Sequence, residues 1–193
     1  MSEATRLLPD TGGRHEVRLS GSGGQGIILA ATLLADAAVA SGDEVLATQS
    51  YGPEARGGAS KAEVIIARDE IDFPEVTAPV VTVCLSQEAF DAYAALTIPG
   101  GVVVYDERLV EARPLDARRL VGLPFTELAE VELGKAIAAN IVMLGALQAL
   151  TGIVGAEALG DAVRRRLPAK IVDLNVRALE LGAGSVAGVL AGA

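Results

Sequence analysis

The feature that most constrains this chain is a run of glycines with a strand in front of it and a helix behind. Glu16-Val17-Arg18-Leu19-Ser20 alternates polar and apolar residues, as a strand does when its side chains point to opposite faces. Gly21-Ser22-Gly23-Gly24-Gln25-Gly26 follows at once, and Ile27 to Ala40 is then dense in Ala and Leu with no proline. Ser41-Gly42-Asp43 ends that helix, and Glu44 to Thr48 reads as a second strand. Strand, glycine turn, helix and strand predict a βαβ unit with a right-handed crossover and a parallel sheet.

Gly21, Gly23 and Gly26 satisfy G-x-G-x-x-G, the turn that lets a pyrophosphate approach a helix N-terminus. A dinucleotide site also expects an acidic residue about 20 positions on, at the end of the second strand, to hold the ribose hydroxyls. Thr48 and Gln49 stand there instead, and no Gly-Lys-Ser/Thr follows to make a P-loop. Three readings stay open. The glycines form a nucleotide cradle, they let helix and strand pack closely, or Ser22 and Gln25 offer donors to a partner's carboxylate or to a phosphate-bearing ligand held mainly by another subunit.

A second loop, Gln49 to Ser60, holds three glycines and a proline in twelve residues, which excludes a regular element. Strands are predicted at Lys61 to Ala67, Val80 to Leu85 and Val102 to Tyr105, with Ser86 capping a helix over Gln87 to Leu96. Thr126 is placed to cap a helix that begins near Glu127 and continues through Leu150. Two more helices are predicted at Ala156–Leu167 and Ile171–Leu181. The apolar stretch Ala136 to Val154 is about long enough to span a bilayer. It contains Asn140 and Gln148 and lacks an aromatic belt, so a buried helix is the better reading.

Composition narrows the function. A net charge of -9 with no basic stripe argues against nucleic acid. Arg164, Arg165 and Arg166 sit late in a predicted helix, where they complement its dipole and pair with neighbours. One cysteine, Cys84, and one histidine, His15, supply neither the four thiolates of an iron–sulfur cluster nor a zinc set, so no metal site and no acid–base pair are predicted. Cys84, inside an apolar run, reads as an inert core residue. A lone thiol without a disulfide framework suits the cytosol, and Met1 to Arg14 shows no apolar signal segment.

The glycine run, followed about 25 residues later by Ser50-Tyr51-Gly52-Pro53-Glu54-Ala55-Arg56-Gly57-Gly58, resembles the gamma subunit of 2-oxoacid:ferredoxin oxidoreductases. The same module occurs as a domain within fused pyruvate:ferredoxin oxidoreductases and is similar to the small subunit of indolepyruvate oxidoreductase. Asn140 with Leu144-Gly145-Ala146-Leu147 resembles the family's later helical segment, and Asn175 with Ala178 and Gly182 its closing one. The resemblance implies a complex that oxidatively decarboxylates a 2-oxoacid, usually with coenzyme A, to an acyl-CoA. It implies thiamine diphosphate between alpha- and beta-type subunits, [4Fe–4S] clusters on a ferredoxin-like subunit, and a gamma chain that binds none of these alone.

Within that frame Ser50, Tyr51, Gly52, Arg56, Gly57 and Gly58 are expected at an interface near the substrate or coenzyme A entrance, where Arg56 suits a carboxylate or phosphate. Arg56 paired with an acidic residue is the other reading. Asn140 and Asn175 are expected as core or interface hydrogen bonders, and Lys61, Glu132 and Lys135 as solvated charges. The expected organisation is a flexible leader over 1–14, one doubly wound, mainly parallel, Rossmann-like α/β domain over 15–182 with a helical C-terminal third, and a loose tail over 183–193. The alternative function is a free-standing dinucleotide-binding oxidoreductase.

Overall fold

The computed structural model describes residues 7–50 and 59–191. Strand β1 (Arg14–Gly21) leads through the glycine turn into helix α1 (Ile27–Ala40), and β2 (Glu44–Ser50) follows. After β3 (Ser60–Ala67) come β4 (Val81–Cys84), α2 (Gln87–Tyr93), β5 (Val102–Asp106) and β6 (Arg119–Leu123). The rest is helical: α3 (Phe125–Leu133), α4 (Ala139–Thr151), α5 (Ala156–Arg166), α6 (Ala169–Ser185) and α7 (Ala187–Ala191). Among the described residues, one six-stranded sheet runs in the order β2-β3-β1-β4-β5-β6. Pairings from β1 through β6 are parallel, whereas β3 runs antiparallel to both β1 and β2. The sheet is mixed and mainly parallel, as an α/β domain of this composition is expected to be.

The expected β1–α1–β2 unit is corrected in one respect. β2 points the same way as β1 but does not pair with it. β3 returns between them, with Arg18 opposite Glu63 and Gly21 opposite Ser60. A strand that returns after a short loop must run antiparallel, and the gap left by the α1 crossover admits one strand.

Side-chain alternation divides the strands between two layers. Val17, Leu19, Val64, Val83 and Val104 face the main core, filled by Leu33 and Leu34 of α1 and Ile141, Leu144 and Leu147 of α4. Cys84 and Val103 face the second layer, against Ala89 and Phe90 of α2. Helices α4 and α6 cross so closely that a Cβ on Gly145 would fall on the Leu179 carbonyl, and one on Gly182 on the Val142 carbonyl. No described helix is long and apolar enough to cross a membrane.

Other expectations change locally. The predicted 127–150 helix is broken at Gly134, whose φ of +65° ends α3 as its N–H donates to the Glu130 carbonyl (3.1 Å) in an αL closure. Thr126 is not the cap, because Pro124 occupies that place and Thr126 turns to Asp106. Strand β6 was missed because Arg119-Leu120-Val121-Gly122-Leu123 is short and edge-lying. Leu7, inside the expected leader, is buried, and its N–H bonds the Leu150 carbonyl. The segment from 183 is helical through Ala191, anchored by buried Val186, rather than loose.

Candidate functional site

In open α/β sheets, ligands and partners meet the crevice outside the carboxyl ends of the strands, where neighbouring connections leave for opposite faces. Here that point lies between β1, which feeds α1, and β4, which feeds α2. The glycine turn sits on it. Gly24 and Gly26 take φ values of +87° and +73°, a region open to glycine at little cost. A Cβ at Gly26 would also fall on Asn140 Nδ2. Gly26 is the N-cap of α1 and no side chain caps that helix, so its first-turn N–H groups remain presented at the edge.

Two amides hold the turn. Gln25 Oε1 accepts from Ser22 N–H (2.7 Å), and Gln25 Nε2 donates to the Leu85 carbonyl (2.8 Å). Asn140, 4% exposed, donates from Nδ2 to the Gly26 carbonyl (3.0 Å), tying α4 to the start of α1. Gln25, expected to offer donors outward, is therefore engaged at both ends of its amide, and the outward groups are backbone N–H and Ser22. Asn175 donates from Nδ2 to the Ile171 carbonyl of its own helix (2.8 Å) and takes no part in this arrangement.

The register brings the strand ends that flank the second motif to the same edge. Ser50 closes β2 opposite Lys61, and Ser60 opens β3 opposite Gly21. Both ends of the second glycine loop thus stand one or two strands from the first. Tyr51, Gly52, Arg56, Gly57 and Gly58 lie outside the described residues.

Sequence reasoning missed two polar features. Asp106, 1% exposed at the carboxyl end of β5, accepts from Arg108 N–H (3.0 Å), Thr126 N–H (2.9 Å) and Thr126 Oγ1 (2.6 Å). Its carboxylate staples β5 to α3, and its signal was an acid directly after an apolar strand. The other is a buried ion pair on the second layer. Arg18 donates from Nε (2.7 Å) and Nη2 (2.6 Å) to Glu63 Oε1, and Nη2 also reaches the Val76 carbonyl at 3.1 Å. Lys61, expected to be solvated, donates to Glu63 Oε2 at 3.0 Å. Tyr93 stacks on the Arg18 guanidinium, 5.5 Å from its carbon.

The donor set does not fit an iron–sulfur cluster or a zinc ion. Cys84 is fully buried, and burial pushes its thiol up to about 12, with only partial opposition from the Ser20 hydrogen bond and Arg18. His15 lies toward the other end of β1, 3.0 Å from Thr11 Oγ1. Among the described residues no three His, Cys, Asp or Glu side chains gather to hold a metal.

A mainly parallel sheet with helices on both faces and a glycine turn at its carboxyl edge defines a domain of the doubly wound α/β class. Residues 16–185 match the pyruvate ferredoxin/flavodoxin oxidoreductase family, and the chain belongs to it. It is 48% identical to 2-oxoglutarate synthase subunit KorC of Methanocaldococcus jannaschii over 172 residues, covering 88% of this chain and 92% of that protein. It is 30% identical to pyruvate synthase subunit PorC of Thermotoga maritima, covering 86% and 92%. The crystal structure of the gamma subunit of a keto/oxoacid ferredoxin oxidoreductase from Geobacter sulfurreducens superposes with a TM-score of 0.84 at 42% identity, covering 91% of this chain and 98% of that one.

Proposed function

We propose that this chain is the gamma-type subunit of a 2-oxoacid:acceptor oxidoreductase that converts a 2-oxoacid and coenzyme A to an acyl-CoA and carbon dioxide. The observation that carries this reading is near-complete correspondence to free-standing subunits of such enzymes, at 92% of one KorC chain and 98% of the Geobacter gamma subunit. Its partners are alpha- and beta-type subunits that hold thiamine diphosphate and a ferredoxin-like subunit that holds [4Fe–4S] clusters. Ferredoxin or another acceptor takes the two electrons. The chain works in the cytoplasm and supplies shape and hydrogen-bond donors at its carboxyl edge. We assign 2-oxoglutarate as the acid, on 48% identity to a KorC subunit against 30% to PorC.

The test is purification of the tagged chain from its host with mass spectrometry and a visible spectrum. Thiamine-binding and cysteine-rich partners, a brown absorbance, and viologen reduction that requires 2-oxoglutarate and coenzyme A are expected. A colourless chain purified alone overturns the reading, and a preference for pyruvate overturns the choice of acid.

The same proposal puts Tyr51 and Arg56 near the entrance for substrate or coenzyme A. Support comes from the described ends of β2 and β3, where Ser50 pairs with Lys61 and Ser60 with Gly21 at the start of the glycine turn. An Arg56→Ala complex that assembles but loses turnover is expected, and normal turnover removes the role. The dinucleotide-binding alternative is weakened by topology. With β3 between β1 and β2, the end of β2 is two strands from the turn, and no acid stands there. Titration of the isolated chain with NADH is expected to show no saturable binding.

A further inference from the structure

Beside the glycine turn lies a groove of about 360 Å³ that none of the roles above uses. Gly24, Gln25 and Leu85 line one side of it, and Leu109, Thr126 and Ile137 the other. Its lining is largely apolar. Ile137 is 75% exposed and Leu109 42%, although both are large aliphatic residues. The elements beneath them are rigid: Gln25 is bound to the Leu85 carbonyl, and Asp106 is bound to Thr126. A firm apolar groove with exposed aliphatic lips has the form of a docking surface.

Charge says what fits it. Leaving aside the buried Asp106, the two segments that build the Leu109 and Ile137 side, 106–109 and 124–139, carry exposed Glu107, Glu127, Glu130 and Glu132 against only Arg108 and Lys135. Arg108 is already paired with Glu127 at 2.8 Å. A second copy of this chain would bring its own net charge of -9 to that acidic rim, so self-association is opposed. Resting on the subunit reading above, we infer that this groove docks a partner subunit of the oxidoreductase through an apolar side chain flanked by Lys or Arg. The contact would place the partner against the glycine turn, so assembly and the carboxyl edge are physically joined. Specific hydrophobic anchors of this kind dominate interface energies, while the charged rim sets partner choice and salt dependence.

The experiment is co-purification of the tagged chain with the subunits that accompany the wild type, at low and high salt. Ile137→Asp and Leu109→Asp are compared with Val39→Asp, a control on α1, where Val39 is 60% exposed outside the groove. Each groove variant is expected to weaken subunit retention more than about tenfold, as loss of an interface anchor does. Glu130→Lys with Glu132→Lys is expected to weaken it less and to flatten its salt dependence, and Val39→Asp to leave it unchanged. Circular dichroism melts verify folding, and Ile137→Ser replaces the Asp variant if that one melts early. If the wild type retains its subunits and the groove variants do so equally, the groove inference falls while the subunit reading stands. If the wild type purifies alone, the subunit reading itself fails. Full assembly with lost turnover would make the groove a ligand site, and a homodimer abolished by Ile137→Asp would make it a self-contact. Either result overturns the inference.

Discussion

The parallel part of the sheet and its antiparallel corner are built from similar apolar strands but are held in place differently. In the parallel part the second layer is conventional: Cys84 and Val103 pack under Phe90 and Ala89. At the corner the same layer carries charge, because β3 places Glu63 directly opposite Arg18 and Lys61 opposite Ser20. Parallel strands joined by helices have their neighbours chosen by the crossovers. A strand inserted between β1 and β2 has no such guide, and a one-residue slip would turn its side chains over. The buried Arg18–Glu63 pair penalises that slip, since either charge left alone in the interior is costly. By keeping β2 off β1, the corner also departs from the strand order of a dinucleotide site.

The sharpest test of this contrast is Glu63→Ala. It strands Arg18 and is expected to lower folding stability by about 3 kcal/mol or more in urea denaturation. An Arg18→Met, Glu63→Leu double variant is expected to recover most of that loss, and a single-variant loss below about 1 kcal/mol would mean that solvent, not the pair, serves these charges. Gly26→Ala comes next, at about 2 kcal/mol, because it meets both a positive φ and the Asn140 amide. It should also perturb the glycine turn, read by amide hydrogen exchange at Ser22 to Ile28. Asn140→Ala removes only the hydrogen bond to Gly26 and the amide volume, and about 1 kcal/mol is expected.

The smallest effect belongs to the parallel part. Burial raises the Cys84 thiol from 9.0 to about 12, so the folded chain holds that proton more tightly than the unfolded one. The stabilisation is fully present below pH 9 and is lost as pH rises from 9 toward 12. The stability gap between wild type and Cys84→Ala should therefore be constant from pH 6 to 8 and shift against the wild type above pH 9. A shift starting near neutrality would show the thiol to be accessible. Slow reaction with iodoacetamide at neutral pH in the native chain checks the same point.

Much of the fold was legible because local signals agreed with one another. The helix over Ile27–Ala40 was bounded on one side by Gly26 and on the other by Ser41-Gly42, and it forms with those limits. The Ser86 cap is present, accepting from Ala89 N–H at 3.2 Å. Of the site, the glycine turn and the buried Asn140 were visible as residues, but their mutual bond joins positions 26 and 140 and leaves no local trace. Gln25 misled for the same reason: a polar residue in an exposed turn reads as an outward donor until the Leu85 carbonyl is brought beside it. Asp106 and Glu63 drew no reading, because an acid in or just after a strand carries no local sign of its distant partner.

What the amino-acid sequence determined by itself was most of the elements, the division of each strand into two faces and the two glycine loops, because these follow from side-chain period and backbone freedom over a few residues. Tertiary structure alone decided the strand order, the placing of Ser50 and Ser60 at the edge of the glycine turn, the burial of the Arg18–Glu63 pair and the groove at Leu109 and Ile137. Each of these depends on which distant segments share a neighbour. That choice is made by packing and desolvation across the whole sheet, where a residue's partner, not its type, sets whether it is core, clamp or contact surface.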